Sequence, residues 1–212
     1  MRGRFVLVLV CIAAFSSSAL AQEIRNDTDA YLAGKLLLGF GGDAEFELDE
    51  LGGIDGETDM ELSYGLGFSY MHPLHENFVL GGQLGIASWT VDAFEDADFD
   101  RNSWIDISVV PQARLAVTDI VELYASLPLG ITFDFIGEDD IFGAEADTGF
   151  GFNFALMFGV RVAVDEDWGL LGELGYALHS FSHGTEVLGQ EGPDLEVSAG
   201  QLQLNLGAYY SL

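Results

Sequence analysis

Residues 201–212 have the sequence QLQLNLGAYYSL, and this stretch decides the fold. The even positions from Leu202 to Leu212 are apolar, and the odd positions are polar, small or amphipathic. A period of two residues is typical of a β-strand, because successive side chains point to opposite faces of the pleat. A final strand with one apolar face suits a membrane barrel, in which the last strand must pair with the first to leave no edge. We therefore expect more strands of this kind along the chain.

Similar alternation recurs upstream. The clearest case spans residues 148–164, where phenylalanine, leucine and valine fill the even positions from Phe150 to Val162. Six more strands are predicted over residues 31–41, 61–71, 78–89, 103–117, 120–135 and 168–181, and the closing strand begins near residue 195. The connections alternate between long and short, which is typical of an up-and-down membrane barrel. The sequence therefore predicts an all-β protein, an eight-stranded antiparallel up-and-down transmembrane β-barrel.

Two prolines, Pro111 and Pro128, lie inside predicted strands. Proline has no backbone N–H to donate to a neighbouring strand, and in sheets it is usually confined to edges and bulges. We therefore expect a β-bulge or a local register fault at each of these positions.

A soluble barrel of the lipocalin kind would use the same periodicity with its apolar face turned inward. The non-apolar faces argue against it, because they consist mainly of Gly, Ala, Ser, Gln and Asn and carry few charges. Aromatic residues also lie near predicted strand ends, as they do in the interfacial girdles of membrane barrels. They are Tyr70, Phe78, Trp104, Phe133, Phe135, Phe150, Trp168 and Tyr210.

The first 21 residues have the pattern of a secretory signal peptide. Arg2 and Arg4 make the start basic, residues 5–15 are apolar, and Ala19-Leu20-Ala21 resembles a cleavage site. The apolar run is too short for a transmembrane helix, which needs about 20 residues. We expect removal of residues 1–21, which contain the only cysteine, and a single barrel domain over residues 22–212.

The charge balance excludes one class of partner. The formal net charge is −28, and loss of Arg2 and Arg4 with the signal peptide would make it −30. Lys35 is the only lysine. Such a chain will not bind nucleic acid or an anionic membrane surface by electrostatic attraction.

The signal peptide, eight alternating strands, short turns and closing strand together resemble the small outer-membrane barrels of the OmpA/OmpX type and the broader outer-membrane β-barrel domain family. The resemblance covers residues 22–212 and rests on this pattern. It implies a monomer in the cell outer membrane, surrounded by outer-membrane lipid and recognised by the barrel-assembly machinery through its terminal strand. The closing strand of the family usually ends in Phe, whereas this one ends in Leu212, with Tyr210 two residues earlier.

A set of charged residues falls on the predicted inward faces. The turn at residues 118–119 would bring Arg114 opposite Glu122, and the turn at residues 165–167 would put Arg161 diagonal to Glu173. Buried charges must be paired, so we expect a polar plug that neutralises the lumen. A narrow ion path is the alternative, although eight strands leave little more than room for side chains. The predicted network comprises Lys35, Glu61, Asp106, Arg114, Glu122, Asp134, Arg161 and Glu173.

Four predicted loops, residues 43–59, 91–102, 136–147 and 182–194, hold most of the acidic residues. We interpret them as a solvated, repulsive surface. The alternative is a weak divalent cation site for Ca²⁺ or Mg²⁺, which bind carboxylate oxygens; no other cofactor is expected. An EF-hand is rejected because Arg101 replaces the required glycine. The candidate ligands are Asp55, Glu57, Asp59, Asp96, Asp98 and Asp100.

Catalysis would need a nucleophile beside a base that a third group orients. Some eight-stranded barrels are lipid A acylases or deacylases with Ser, His and a carboxylate near the outer rim, and the sequence HSFSH at residues 179–183 suggests the comparison, with Glu186 nearby. However, Ser180 points to the face opposite His179, and Phe181 occupies the position where a serine is needed. His72 and His75 lie in an ordinary predicted turn, and the support for a metal site there is weaker than the support for the catalytic interpretation.

No catalytic residue is therefore predicted. The sequence favours a non-enzymatic outer-membrane surface protein with acidic extracellular loops, acting in envelope integrity, adhesion or interaction. Two alternatives stay open, a narrow porin-like channel for ions or small solutes and a lipid A-modifying outer-membrane enzyme.

Overall fold

A computed structural model describes residues 29–48, 54–91, 101–135, 145–146, 148–187, 190–192 and 194–212. The predicted signal peptide lies outside these residues. The described part of the chain contains no helix that is long and apolar enough to cross a membrane. Its strands are β1 (Tyr31–Leu48), β2 (Ile54–Asp59), β3 (Ser63–His75), β4 (Phe78–Trp89), β5 (Asn102–Ala116), β6 (Val121–Ser126), β7 (Leu129–Phe135), β8 (Glu145–Ala146), β9 (Gly149–Ala163), β10 (Trp168–His183), β11 (Thr185–Val187), β12 (Gln190–Glu191) and β13 (Leu195–Ser211).

Antiparallel pairing closes the sheet into a ring of eight crossings. The order is β1, β3, β4, β5, the crossing formed by β6 and β7, then β9, β10 and β13, which returns to β1. The closing pair runs from Tyr31 opposite Ser211 to Leu48 opposite Leu195. The predicted all-β, eight-stranded up-and-down barrel is confirmed. The short β8, β11 and β12 form a separate small sheet.

The two prolines do not disturb the register, so the predicted bulges or register faults at these positions are wrong. Pro111 stays inside β5, and the pairs on either side of Pro128 keep the same offset to both neighbouring strands. Leu127 N donates to Pro111 O at 3.0 Å, and Ala155 N donates to Pro128 O at 2.9 Å. Each proline accepts a ladder bond without donating one, and the flanking pairs hold the strands in place.

A bulge does occur at Gly41, where none was predicted. The register between β1 and β13 shifts between Phe40 and Gly42, and Gly41 has φ of 60° in the left-handed region that favours glycine. Beyond the bulge β1 continues to Leu48 and pairs with both β13 and β2. The prediction of a loop over residues 43–59 is therefore wrong for residues 43–48 and 54–59, which are paired strands.

The two faces of the ring differ sharply in chemistry. Large apolar side chains point outward and are exposed, for example Phe152 at 68%, Phe158 at 60% and Leu66 at 56% of their full surface. Inward positions carry the buried polar and charged groups, among them Arg114 and Glu173. An apolar belt around a polar interior is the arrangement of a transmembrane barrel and the reverse of a lipocalin-like one.

The closed ladder predicts resistance to detergent. We expect the unheated protein to migrate differently from the boiled protein on a detergent gel, because paired backbone groups leave the detergent no edge to open. The check is gel migration of the outer-membrane fraction with and without heating. Identical migration, with the protein in the soluble periplasmic fraction, would contradict the transmembrane barrel.

Candidate functional site

The lumen near the short turns is filled by a cluster of two arginines and one glutamate. Arg161 Nη2 lies 2.9 Å from Glu122 Oε2, and Arg114 Nη1 lies 3.6 Å from the same oxygen. The Arg161 guanidinium carbon also lies 4.3 Å from the ring centre of Tyr31 and 4.8 Å from that of Tyr209. We call these five side chains the lower cluster. The two tyrosine rings and the ion pairs occupy the space that a solute would need.

The strand register explains why these charges meet, and it corrects one expected pair. Arg114 lies opposite Tyr124, and Glu122 lies opposite Ala116. The prediction that Arg114 lies directly opposite Glu122 is therefore wrong by two residues, and the two side chains meet diagonally across the strands. Arg161 lies directly opposite Glu122 across β6 and β9. The register of β9 with β10 also sets Arg161 diagonal to Glu173, as predicted. The carboxylate that pairs with Arg161 is nevertheless that of Glu122.

Above the lower cluster, Lys35 and Glu173 form the centre of the lumen. Lys35 Nζ lies 2.9 and 3.0 Å from the two oxygens of Glu173. The same carboxylate accepts hydrogen bonds from the Tyr124 hydroxyl at 3.0 Å and the Asn205 amide at 2.8 Å. Lys35 also donates to Gln83 Oε1 at 3.2 Å. The only lysine of the sequence therefore bonds to side chains on two other strands, β4 and β10.

Asp106 is the next carboxylate toward the long loops. Its Oδ1 accepts hydrogen bonds from the Thr132 hydroxyl at 2.6 Å and the Asn153 amide at 3.2 Å. Its Oδ2 lies 3.0 Å from His179 Nε2. His179 in turn stacks on Trp104, with ring centres 4.2 Å apart. The Asp106 carboxylate and the His179 imidazole are thus held in place by Thr132, Asn153 and Trp104.

Asp134 lies in an aromatic layer at the long-loop end. It is fully buried, accepts a hydrogen bond from Trp89 Nε1 at 2.8 Å, and lies 3.3 Å from Nε2 of the equally buried His183. Trp89 packs against Trp104 with ring centres 5.6 Å apart and against Phe181 at 6.1 Å. These indoles and rings cover the upper end of the lumen.

Between the aromatic layer and the Lys35–Glu173 pair lies a cavity of about 30 Å³. Asp106, His179, Gln201 and Gln203 line it, and Glu173 closes its lower side. A polar cavity of this size has room for water molecules and is far smaller than the roughly 300–1,000 Å³ of ligand sites. The lumen is thus packed in layers rather than open.

Seven of the eight predicted lumen residues lie in this stack, and one does not. Glu61 precedes β3, lies in no strand, and its side chain is exposed. Four residues outside the predicted set complete the network, namely His179, His183, Tyr124 and Asn153. The alternation of side chains along each strand could have identified them, because each occupies an inward position, where a polar side chain must be paired.

The histidine segment does not have the geometry of a lipid A-modifying site in the described residues. His179 faces the lumen and pairs with Asp106, whereas Ser180 is exposed on the outer face. His183 also points inward, against Asp134. Adjacent strand residues face opposite sides of the wall, so a serine next to His179 cannot share its proton.

The exposed end of the barrel carries a ladder of carboxylates. We define the acidic extension as residues 43–48 of β1 together with β2. Its register sets Asp43 opposite Asp59, Glu45 opposite Glu57, and Glu47 opposite Asp55. Among the described side chains, Asp43, Glu45, Glu47, Glu57 and Asp59 form no ion pair with an arginine, lysine or histidine. Like charges directly opposite one another destabilise a sheet.

The other face of the acidic extension is apolar. Ala44 is fully buried and Phe46 packs against the cluster that contains Trp89 and Val197. The extension therefore covers the aromatic layer with one side and presents acids with the other. Its alternation of acidic and apolar residues over residues 43–48 is the signal that could have predicted a strand.

The candidate cation ligands are not assembled into a site in the part of the chain described. No group of three or more His, Cys, Asp or Glu side chains there is placed to hold a metal ion. Glu57 and Asp59 lie on β2 with exposed side chains, and Asp55 pairs with Glu47. Asp96, Asp98 and Asp100 lie outside the described residues.

Comparison with known proteins gives a consistent fold. The family model described as outer membrane protein beta-barrel domain matches residues 7–209. No curated protein matches the sequence. The outer membrane protein OprG from Pseudomonas aeruginosa is 11% identical with a TM-score of 0.63, and the alignment covers 90% of this chain and 99% of that one.

Two further barrels resemble the structure. The outer membrane protein AlkL, solved in lipid bilayers, is 14% identical with a TM-score of 0.57 and covers 92% of this chain and 96% of its own. Neisserial surface protein A is 13% identical with a TM-score of 0.50, and the alignment covers 86% of this chain and 97% of that one. At these identities the likeness extends to the fold alone.

The lower cluster predicts that Glu122 is important for stability. The change Glu122→Gln leaves two buried arginines without their carboxylate, and we expect a loss of about 3–5 kcal/mol in the free energy of unfolding. The measurement is urea unfolding of the refolded barrel in lipid vesicles, followed by tryptophan fluorescence. Glu166→Gln, on an exposed short turn, is the matched control. Equal stability of the two variants would mean that water already solvates the lower cluster.

Proposed function

Because the chain belongs to the outer membrane protein beta-barrel domain family, we propose that it is a non-enzymatic surface protein of the outer membrane. Its contact surface is the acidic extension, and its partners carry positive charge. The ladder of carboxylates on that extension is the observation that carries this proposal. The roles that fit are adhesion to, or interaction with, basic surfaces outside the cell, and envelope integrity through such contacts.

The electrostatics of the ladder support a cationic partner. Three pairs of like charges face each other across two strands, and their mutual repulsion falls when a cationic group lies between them. Five of these side chains, Asp43, Glu45, Glu47, Glu57 and Asp59, are exposed, so a partner reaches them without opening the barrel. Negative potential of this kind raises the rate at which cationic molecules are captured.

The filled lumen argues against the two alternatives. A porin-like path would have to cross the aromatic layer, the Lys35–Glu173 pair and the lower cluster, each of which spans the interior. A lipid A-modifying role would need a nucleophile beside an imidazole, whereas His179 and Ser180 lie on opposite faces of the wall. Both observations favour function on the outside of the barrel.

The remaining expectations belong to the same proposal. Residues 1–21 direct export and are removed, residues 22–212 form the mature domain, and the barrel-assembly machinery recognises the strand that ends at Leu212. The mature protein is a monomer that contacts outer-membrane lipid. It needs no cofactor, and any Ca²⁺ or Mg²⁺ binds weakly at the acidic surface.

Neutralising the ladder should weaken the capture of a cationic probe. We expect a variant with Asp43→Asn, Glu45→Gln and Glu57→Gln to bind fluorescent oligolysine about tenfold more weakly than the unchanged protein at low salt. The measurement is fluorescence anisotropy with the barrel in zwitterionic nanodiscs. Added salt should reduce binding by the unchanged protein, because salt screens exposed charges.

The matched control changes the same amount of charge at the opposite end. Asp119→Asn, Glu166→Gln and Asp167→Asn together remove three exposed acids from the short turns. We expect this variant to bind the probe like the unchanged protein. If it loses as much affinity as the ladder variant, net charge rather than the acidic extension governs binding, and the proposed contact surface is wrong.

The layered lumen also predicts the absence of steady conductance. In a planar bilayer the purified barrel should give no stable single-channel steps, since each layer is held by buried hydrogen bonds and ion pairs. Reproducible steps of uniform size would contradict the packed lumen and favour the channel alternative.

A further inference from the structure

The lipid-facing wall carries a groove of about 810 Å³ near its short-turn end. Gly34, Gly82 and Ala208 contribute the smallest side chains to it, and Tyr70, Trp168 and Tyr210 contribute aromatic rings. The register joins these strands directly, since Gly34 pairs with Ala208 on β13 and with Phe68 on β3. The volume lies within the range of about 300–1,000 Å³ found for ligand sites. The groove is thus a shallow, open depression in the lipid-facing wall.

Packing within the protein does not explain two of its glycines. A Cβ on Gly34 would meet nothing closer than 3.9 Å, and the same holds for Gly82. Two inward glycines differ, because a Cβ on Gly159 would lie 2.3 Å from the Tyr124 ring and one on Gly149 would lie 2.4 Å from the His183 ring. Glycine inside a strand weakens it and often marks a place where a ligand approaches closely.

We propose that this groove binds one acyl chain of a glycerophospholipid from the periplasmic leaflet. The groove is continuous with the apolar belt that faces the bilayer, so acyl chains surround it. Short turns lie on the periplasmic side of such barrels, which places the groove in the leaflet of that side. A chain lying over Gly34 contacts the backbone and the flanking rings at van der Waals distance, where dispersion contacts add up.

Polar groups at the end of the groove suit the lipid phosphate. The Tyr70 hydroxyl lies 3.4 Å from Nδ1 of His72, and the two rings stack with centres 6.4 Å apart. Both side chains are exposed on the outer face, and His75 is exposed at the end of the same strand. Hydroxyl and imidazole N–H groups are hydrogen-bond donors to a phosphate oxygen. The groove therefore has an apolar part for a chain and a polar end for a headgroup.

A second copy of the barrel fits the groove less well. Two barrels present convex walls to one another, and large side chains such as Leu32 and Tyr70 beside the groove hold a second wall away from Gly34. A single acyl chain is narrow and flexible enough to follow the concave surface. The chemistry of the groove thus favours a lipid over a protein partner.

The test fills the groove without disturbing the barrel. Gly34→Leu and Gly82→Leu add side chains on the outer wall, where the first added atom meets no close neighbour. Gly172→Leu is the matched control, since Gly172 does not line the groove and a Cβ there lies 3.7 Å from Leu206. Phosphatidylethanolamine is titrated into each detergent-solubilised barrel, and native mass spectrometry counts the bound lipid. Gel migration before and after heating verifies that each variant is folded.

We expect the unchanged protein and Gly172→Leu to retain one phosphatidylethanolamine, and Gly34→Leu and Gly82→Leu to bind it about tenfold more weakly. His72→Ala should also weaken retention. Equal retention by folded Gly34→Leu and Gly172→Leu would overturn the proposal, as would an unchanged protein that binds no lipid. A dimer of the unchanged protein that Gly34→Leu converts to a monomer would overturn it too, by assigning the groove to a second copy.

Discussion

The pairing of β1 with β13 is the interaction on which the rest of the structure depends. It joins Tyr31 to Ser211 at one end and Leu48 to Leu195 at the other, and it removes the last free edges of the ring. In lipid each unpaired backbone group costs several kcal/mol, so a sheet can cross the membrane only when it is closed. Closure with eight crossings then fixes the two environments of every strand, a lipid-facing side and a narrow interior.

The narrow interior dictates how the lumen charges are arranged. Glu122 lies between two arginines, Glu173 receives the lysine and two neutral donors, and Asp106 is held by Thr132, Asn153 and His179. Each carboxylate therefore has partners from at least two other strands. Several of these bonds join strands that are not neighbours in the ring, such as β10 with β1 and β10 with β5, and they fill the space through which a solute would pass. A barrel built in this way leaves its outer surfaces as the places for contact.

The sequence predicts the strands well and their detailed partners less well. Side chains along every strand of the ring alternate between facing lipid and facing the lumen. Periodicity alone therefore located β4 at residues 78–89 and the closing strand near residue 195. The partner of Arg161 was not predictable, because it depends on which of two adjacent strands offers the nearer carboxylate. The strand character of residues 43–48 was hidden by their acids, which suggested a loop although the alternation was present. The prediction of bulges at Pro111 and Pro128 failed because the residue pairs on either side hold the register, and one missing hydrogen bond does not change it.

The acidic extension depends on the barrel wall for its own stability. Its three like-charge pairs oppose pairing, and a two-stranded hairpin alone is marginal in water. Here β1 is held on its other side by β13, and buried Ala44 and the partly buried Phe46 pack on the aromatic layer. The wall therefore supplies the stability that the carboxylate ladder opposes. A ladder of this kind can persist on a membrane protein because the strand that bears it is also the strand that closes the barrel.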